Sequence, residues 1–426
     1  MTSFTSSEPE IVWRPQPAPA KVRLVLFTVL AIRIIAFVLG VWKGNSQRAW
    51  QIYFVNFLFW SGIAQGGVVM AAVYRITNAR WGDQFRRIGE AMVSFLPLSF
   101  VLYLVLVFGG QSIFPWLHEP VHGRELWLSA PFLFGRDGLI FLLLLWVSYE
   151  FVYRSVRPDL GALWRENPGS ETMSRWVERV TKDWKGWEEE VKTRTKKLNI
   201  LTPVLLITFS VLYSLIGFDL VMALDPYWFS TLFGWIYFLH AFFAALVVIT
   251  ILAVLARKWF DMEGVFRTNQ WHDMGRFVFG FCLLTGGFYW SQFLVIWYGN
   301  LPEETSFLIK RFYAQPWETL TWVYLIAAYM FPLAVFLSKR VKQLPGPLMI
   351  TSLIILIALF LERYLAVVPF LWHESSIPFG IIEFAVTCGF GAAFALCWLA
   401  FAKVVPLVPA GFSGRAIRAV RAASLG

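Results

Sequence analysis

The sequence predicts an all-α integral membrane protein with ten transmembrane helices, and three observations predict it. Of its 426 residues 58% are hydrophobic, 18% aromatic and only 15% charged, with a mean hydropathy of +0.60. That is more apolar surface than a soluble domain of this length buries. Apolar runs of about 20 residues, the length a helix needs to cross about 30 Å of hydrocarbon, recur near 24–42, 50–74, 88–109, 132–153, 199–222, 228–257, 274–298, 317–338, 347–371 and 377–402. None alternates in polarity as a barrel strand does. The net charge of +10 is distributed by side: 28 of the 37 Lys and Arg fall in the N-terminus, the even-to-odd connections and the C-terminus, and only five on the opposite side. A nucleic-acid partner is therefore not the meaning of the charge, and the positive-inside rule predicts cytoplasmic termini. Cysteines introduced as Glu304→Cys and Lys182→Cys are expected to label from opposite faces of sealed cells, Glu304→Cys from outside and Lys182→Cys only after permeabilisation. The reverse pattern would reject this orientation.

Taken in order, residues 1–23 are a polar, Pro-rich cytoplasmic arm, and no cleavable signal peptide is predicted. Residues 24–402 form the membrane domain, and 403–426 a basic cytoplasmic tail. In the second span, Gly62 and Gly66 of "SGIAQGG" read as sites of close helix packing. Between the fourth and fifth spans, Trp176, Val180, Trp184, Trp187 and Val191 recur at spacings of three and four within a charged cytoplasmic segment, 154–198. This spacing predicts an amphipathic helix lying on anionic lipid, with a docking helix as the other reading. Thr202-Pro203 and Asp225-Pro226 are expected to cap the fifth and sixth helices. The seventh is expected to end with Gly299 in the left-handed position before Pro302, leaving Glu303 and Glu304 in water and Phe307, Leu308 and Phe312 on the interface.

The three cysteines, Cys282, Cys388 and Cys397, lie in spans without a C-x-x-C pair, so neither a disulfide nor an iron–sulfur cluster is predicted. Only His240 among five histidines sits well inside a span, which argues against haem held between helices. No cofactor bound covalently or through metal ligands is expected.

Ionisable residues inside spans each cost roughly 2.5 to 3.5 kcal/mol on insertion scales and mark candidate sites. Arg136, Asp137, Asp219, Glu362, Arg363 and Glu383 lie towards the outer ends of their helices, with His240 near mid-depth. Glu90, Glu150, Asp273 and Arg276 lie near inner ends, where snorkelling or capping makes them cheap. Two readings stand for the outer group: ion pairs that lock helices, Arg136 with Asp219 or Arg363 with Glu383, or a functional polar path.

The runs "FDLVMALDPYWFSTLFG" (218–234), "WHDMGRFVFGF" (271–281) and "YWSQFLVIWYGNLPEE" (289–304), with "NFLFWSGIAQGGVVMAAVYRITNARWGDQFRRIGEAM" (56–92), resemble the NrfD-like membrane subunits of alternative complex III, the second of them most. The resemblance spans about 50–402. It implies two four-helix bundles, helices two to five and six to nine, flanked by helices one and ten. It implies the bacterial inner membrane, and a quinol-oxidising complex with multihaem cytochrome c subunits, an iron–sulfur subunit and a homologous NrfD-like subunit as partners. Quinone or quinol is the implied small molecule. On this reading Asp219, Asp137, Glu362, Glu383 and His240 are proton relays and Arg136 and Arg363 hold them in place. The rival functions are a purely structural scaffold and a proton-coupled secondary transporter with intramembrane carboxylates.

Overall fold

The computed structural model describes residues 19–119, 121–165, 175–260, 262–372, 374 and 376–408. Most of the expected N-terminal arm and of the C-terminal tail lies outside the described residues. Among the described residues ten helices are long and apolar enough to cross a membrane: Ala20–Trp42, Ser46–Ile76, Asp83–Phe108, Ala130–Trp164, Trp187–Leu224, Thr231–Trp259, Thr268–Gly299, Trp317–Phe336, Pro345–Leu371 and Ile381–Val404. They are called the first to tenth helices below. No strand occurs among the described residues. The chain alternates between a cation-poor end, where odd helices hand over to even ones, and a cation-rich end.

The second and sixth helices are the most enclosed, 89% and 78% buried over their apolar windows. Glycine is what brings them together. A Cβ on Gly66 would stand 2.9 Å from the Ala241 carbonyl oxygen and 2.9 Å from Ala245 Cβ, and one on Gly62 would stand 3.1 Å from Ala241 Cβ. These are backbone-to-backbone approaches of the kind small residues permit. Around this pair, the second helix packs on the third, fifth and tenth, and the sixth on the fifth, seventh and ninth. The first helix lies along the tenth and turns Leu24, Val25, Phe27, Ile34 and Ile35 outwards, a face suited to lipid rather than water.

Several helix ends differ from the sequence expectation. The fourth and fifth helices are 35 and 38 residues long, about 52 and 57 Å at 1.5 Å per residue, so they project beyond the hydrocarbon at the cation-rich end. The segment 154–198 is therefore largely their continuation. Trp176 and Val180 belong to a separate short helix, Arg175–Val180, and Trp187 and Val191 to the fifth helix, with Asp183 (φ 61) and Gly186 (φ 97) breaking the chain between them. One continuous amphipathic helix is thus ruled out. Val177 and Val180 face the protein, and Trp184 rests on Gly161, where a Cβ would come within 2.1 Å of the indole. Arg157, Glu190 and Arg194 form a chain of ion pairs at 3.2 and 3.0 Å that holds the two projections together.

Thr202 and Pro203 do not start the fifth helix. Pro203 lies inside it, and the Thr202 hydroxyl donates back to the Leu198 carbonyl at 2.6 Å. Asp225 does not cap the sixth helix, which begins at Thr231; instead its carboxylate accepts from Lys310 at 3.2 Å. At the end of the seventh helix it is Asn300, one residue past Gly299, that takes the left-handed conformation (φ 47, ψ 38). Asn tolerates that region better than most residues. Pro302 then opens a short helix, Pro302–Phe312, with Glu303 and Glu304 in its first turn. Phe307 is buried rather than interfacial, stacked 3.8 Å from Trp228.

Candidate functional site

Near the cation-poor end the fifth helix passes through a π-turn, Gly217–Val221. Such turns insert a residue into the helical ladder and are frequent at functional sites. Gly217 makes room for it, since a Cβ there would lie 2.8 Å from the Tyr237 ring. The π-turn carries Asp219, which is 1% exposed. Its two oxygens have different donors: Arg136 Nε at 2.9 Å on Oδ2 and the Trp127 indole N–H at 3.0 Å on Oδ1. The Arg136 guanidinium lies over Trp127 (3.8 Å) and Phe132 (4.8 Å), a contact that lowers the cost of a cation away from water. Asp137, fully buried, sits against Asp219 and Arg136, and neither of its oxygens has a hydrogen-bond partner among the described residues.

Two polar branches leave this cluster. Tyr237 is near enough to Asp137, Glu362 and Arg363 to feel the charge of each, and its hydroxyl is buried without a hydrogen-bond partner among the described residues. Arg363 covers its ring at 4.1 Å. Beyond it, Glu362 Oε1 is 3.7 Å from His240 Nδ1, His240 Nε2 is 2.9 Å from the Tyr329 hydroxyl, and Tyr329 is 2.7 Å from that of Tyr324. Tyr329 is carried by a second π-turn, Ile326–Met330 in the eighth helix. A cavity of about 10 Å³ against His240, Glu362 and Arg363 is the room one water takes. Arg311 is also buried here, over Phe307 and beside Tyr289.

The other branch runs through Tyr213, stacked on Tyr237 at 5.6 Å. Its hydroxyl is 3.5 Å from Ser61 Oγ, and Gln65, one turn further along the second helix, donates to Ser148 Oγ at 2.7 Å. Ser61, Gln65, Ser99 and Tyr213 line a second cavity of about 10 Å³. Two turns nearer the cation-rich end, Ser155 donates to Glu90 at 2.6 Å. Glu90 is fully buried and bonded at 2.6 Å to Arg87, which also reaches Asp159. Glu90 is thus not a snorkelling or capping residue. Its spacing of three from Arg87 was a usable signal, whereas Asp159 joins only through the fold. Glu150 with Arg154 and Asp273 with Arg276 do behave as pairs local to one helix.

Of the sequence candidates, the structure brings together Asp219, Arg136 and Asp137 in one group and Glu362, Arg363 and His240 in a second, with Tyr237 under Arg363 and within electrostatic reach of Asp137. It does not include Glu383. That carboxylate binds Arg48 at 2.9 and 3.0 Å and the Gly380 N–H at 2.7 Å, fastening the tenth helix to the second. The Arg363–Glu383 pairing is therefore replaced by Arg48–Glu383, because Arg48 lies in the first turn of the second helix rather than in a loop. Trp127, Tyr213, Tyr237 and Tyr329 were missed, since an aromatic residue in or beside an apolar span reads as packing until its polar atom is placed.

The described residues contain no group of three or more His, Cys, Asp or Glu arranged to hold a metal, and all three cysteines are free. The ten helices and the buried polar groups define an all-α, multi-pass membrane protein. The chain matches no protein-family model and no curated protein.

Proposed function

We propose that this chain is a membrane subunit of a quinol-oxidising electron-transfer complex of the alternative complex III kind, contributing assembly and proton translocation. What supports membership is the resemblance of 56–92, 218–234, 271–281 and 289–304 to the NrfD-like subunits. The helix neighbours are compatible with that family's two bundles, helices two to five and six to nine. The bacterial inner membrane comes with that resemblance, and the charge asymmetry supports cytoplasmic termini, which makes the cation-poor end periplasmic. Haem and iron–sulfur centres would lie on partner subunits, and quinone or quinol is the organic redox molecule this role calls for.

The observation that carries the proton reading is the charge imbalance of the outer cluster. Asp219 and Asp137 face one guanidinium, so the cluster holds two buried carboxyl groups for one cation. Quinol oxidation releases protons with its electrons, and a buried carboxyl that alternates between two partners is a relay. The Arg136–Asp219 bond also favours a second reading, a helix lock in a scaffold subunit.

Gentle detergent extraction tests membership. The chain is expected to co-purify with subunits showing c-type haem absorbance, because it offers no redox centre of its own. Isolation as a stable, active homomer would contradict the proposal.

A further inference from the structure

One side chain of the outer turn bridges the two charges of the outer cluster. Trp127 belongs to the turn between the third and fourth helices, is 46% exposed, and makes two contacts with the cluster: its N–H to Asp219 Oδ1 and its ring on the Arg136 guanidinium. Phe132 closes the other side of Arg136 and meets Trp127 edge-on, with ring centroids 6.0 Å apart. Below these rings Asp219 is 1% exposed and Asp137 is fully buried. Within the turn, Val121 and Leu128 are buried in the core while Leu126 stands 76% exposed, Gly123 takes a left-handed φ of 78, and the Arg124 guanidinium reaches the Pro226 carbonyl.

We propose that Trp127 is the gate of the acid cluster: its indole shuts Asp219 off from water at the cation-poor end, and its N–H holds the carboxylate until the side chain swings aside. This rests on the reading of the cluster as a proton path. Asp219 is 1% exposed beneath Trp127 and Arg136, so exchange with the aqueous side needs one of these two covering side chains to move. Arg136 cannot leave cheaply, because its departure separates opposite charges away from water. Trp127 can, because it is already 46% exposed and gives up one hydrogen bond, its face on Arg136 and its edge contact with Phe132, none of them an ion pair. Rotation of one side chain then links Asp219 to the outside without moving a helix.

The test is the rate at which a water-soluble carbodiimide with an amine modifies Asp219 in the membrane-embedded protein, read by mass spectrometry and needing no turnover. Exposed Glu303 reports reagent activity and buried Glu90 reports that the helices stay packed. Trp127→Phe removes the N–H and shrinks the indole to a phenyl that can still cover Arg136; Trp127→Ala removes both the N–H and the ring. Loss of a charge-assisted hydrogen bond is expected to raise Asp219 labelling about tenfold in Trp127→Phe, and Trp127→Ala is expected to exceed it, with Glu303 and Glu90 unchanged. Equal Asp219 labelling in the native chain and both variants overturns the gate. If Trp127→Ala fails to insert, Trp127→Phe decides alone. Because labelling does not depend on translocation, a working gate with no effect of Asp219 on proton release would refute the proton path and leave the gate standing.

Discussion

Arg87→Met is expected to destabilise the membrane domain by about 3 to 5 kcal/mol, the loss typical when one partner of a buried ion pair is removed. Arg87 has no solvent exposure and binds both Glu90 and Asp159. Methionine fills the space but leaves two buried carboxylates without their shared guanidinium. The readout is the midpoint of thermal unfolding in detergent together with the amount of chain retained in the membrane. Adding Glu90→Gln and Asp159→Asn to Arg87→Met is expected to restore much of the loss, since the neutral triad has no charge to strand. Failure of the triple variant to recover would place the cost in packing. As a contrast, removing Arg154 from its half-wet pair with Glu150 on the same helix turn is expected to cost under about 1 kcal/mol.

The transmembrane helices were legible because hydropathy and span length report the one requirement that lipid imposes on every residue of a span. Helix ends were less legible, because water imposes no such requirement. The polar continuations of the fourth and fifth helices past the membrane look like a loop by composition, and only the packing of Trp184 on Gly161 and of Arg157 on Glu190 shows otherwise. Asp225 has the sequence context of a cap, yet Lys310 claims its carboxylate.

In the site, the spacing of charges along single helices was informative, and of the two cross-helix pairings expected, Arg136–Asp219 forms and Arg363–Glu383 does not. Arg136 and Asp219 stood out from apolar neighbours. The choice of Arg48 rather than Arg363 for Glu383 depends on the tenth helix lying beside the second, which no local pattern encodes. The aromatic residues that connect the charges were invisible for a different reason. Tyr237 and Trp127 carry a large apolar body and one polar atom, and sequence reports the body.

Asp219→Asn, with assembly and proton release measured on the same preparation, tests the central claim most directly. Asparagine keeps the size of the side chain and an oxygen for Arg136 or Trp127, and the neighbouring Asp137 carboxylate remains to balance the guanidinium. The expected result is near-normal assembled complex with fewer protons released per quinol oxidised, or with slower coupled turnover. Loss of the subunit from the membrane, with normal proton release in the complex that survives, would instead assign Asp219 to a helix lock. Normal assembly with normal proton release would contradict the account outright and remove the outer cluster as a functional site.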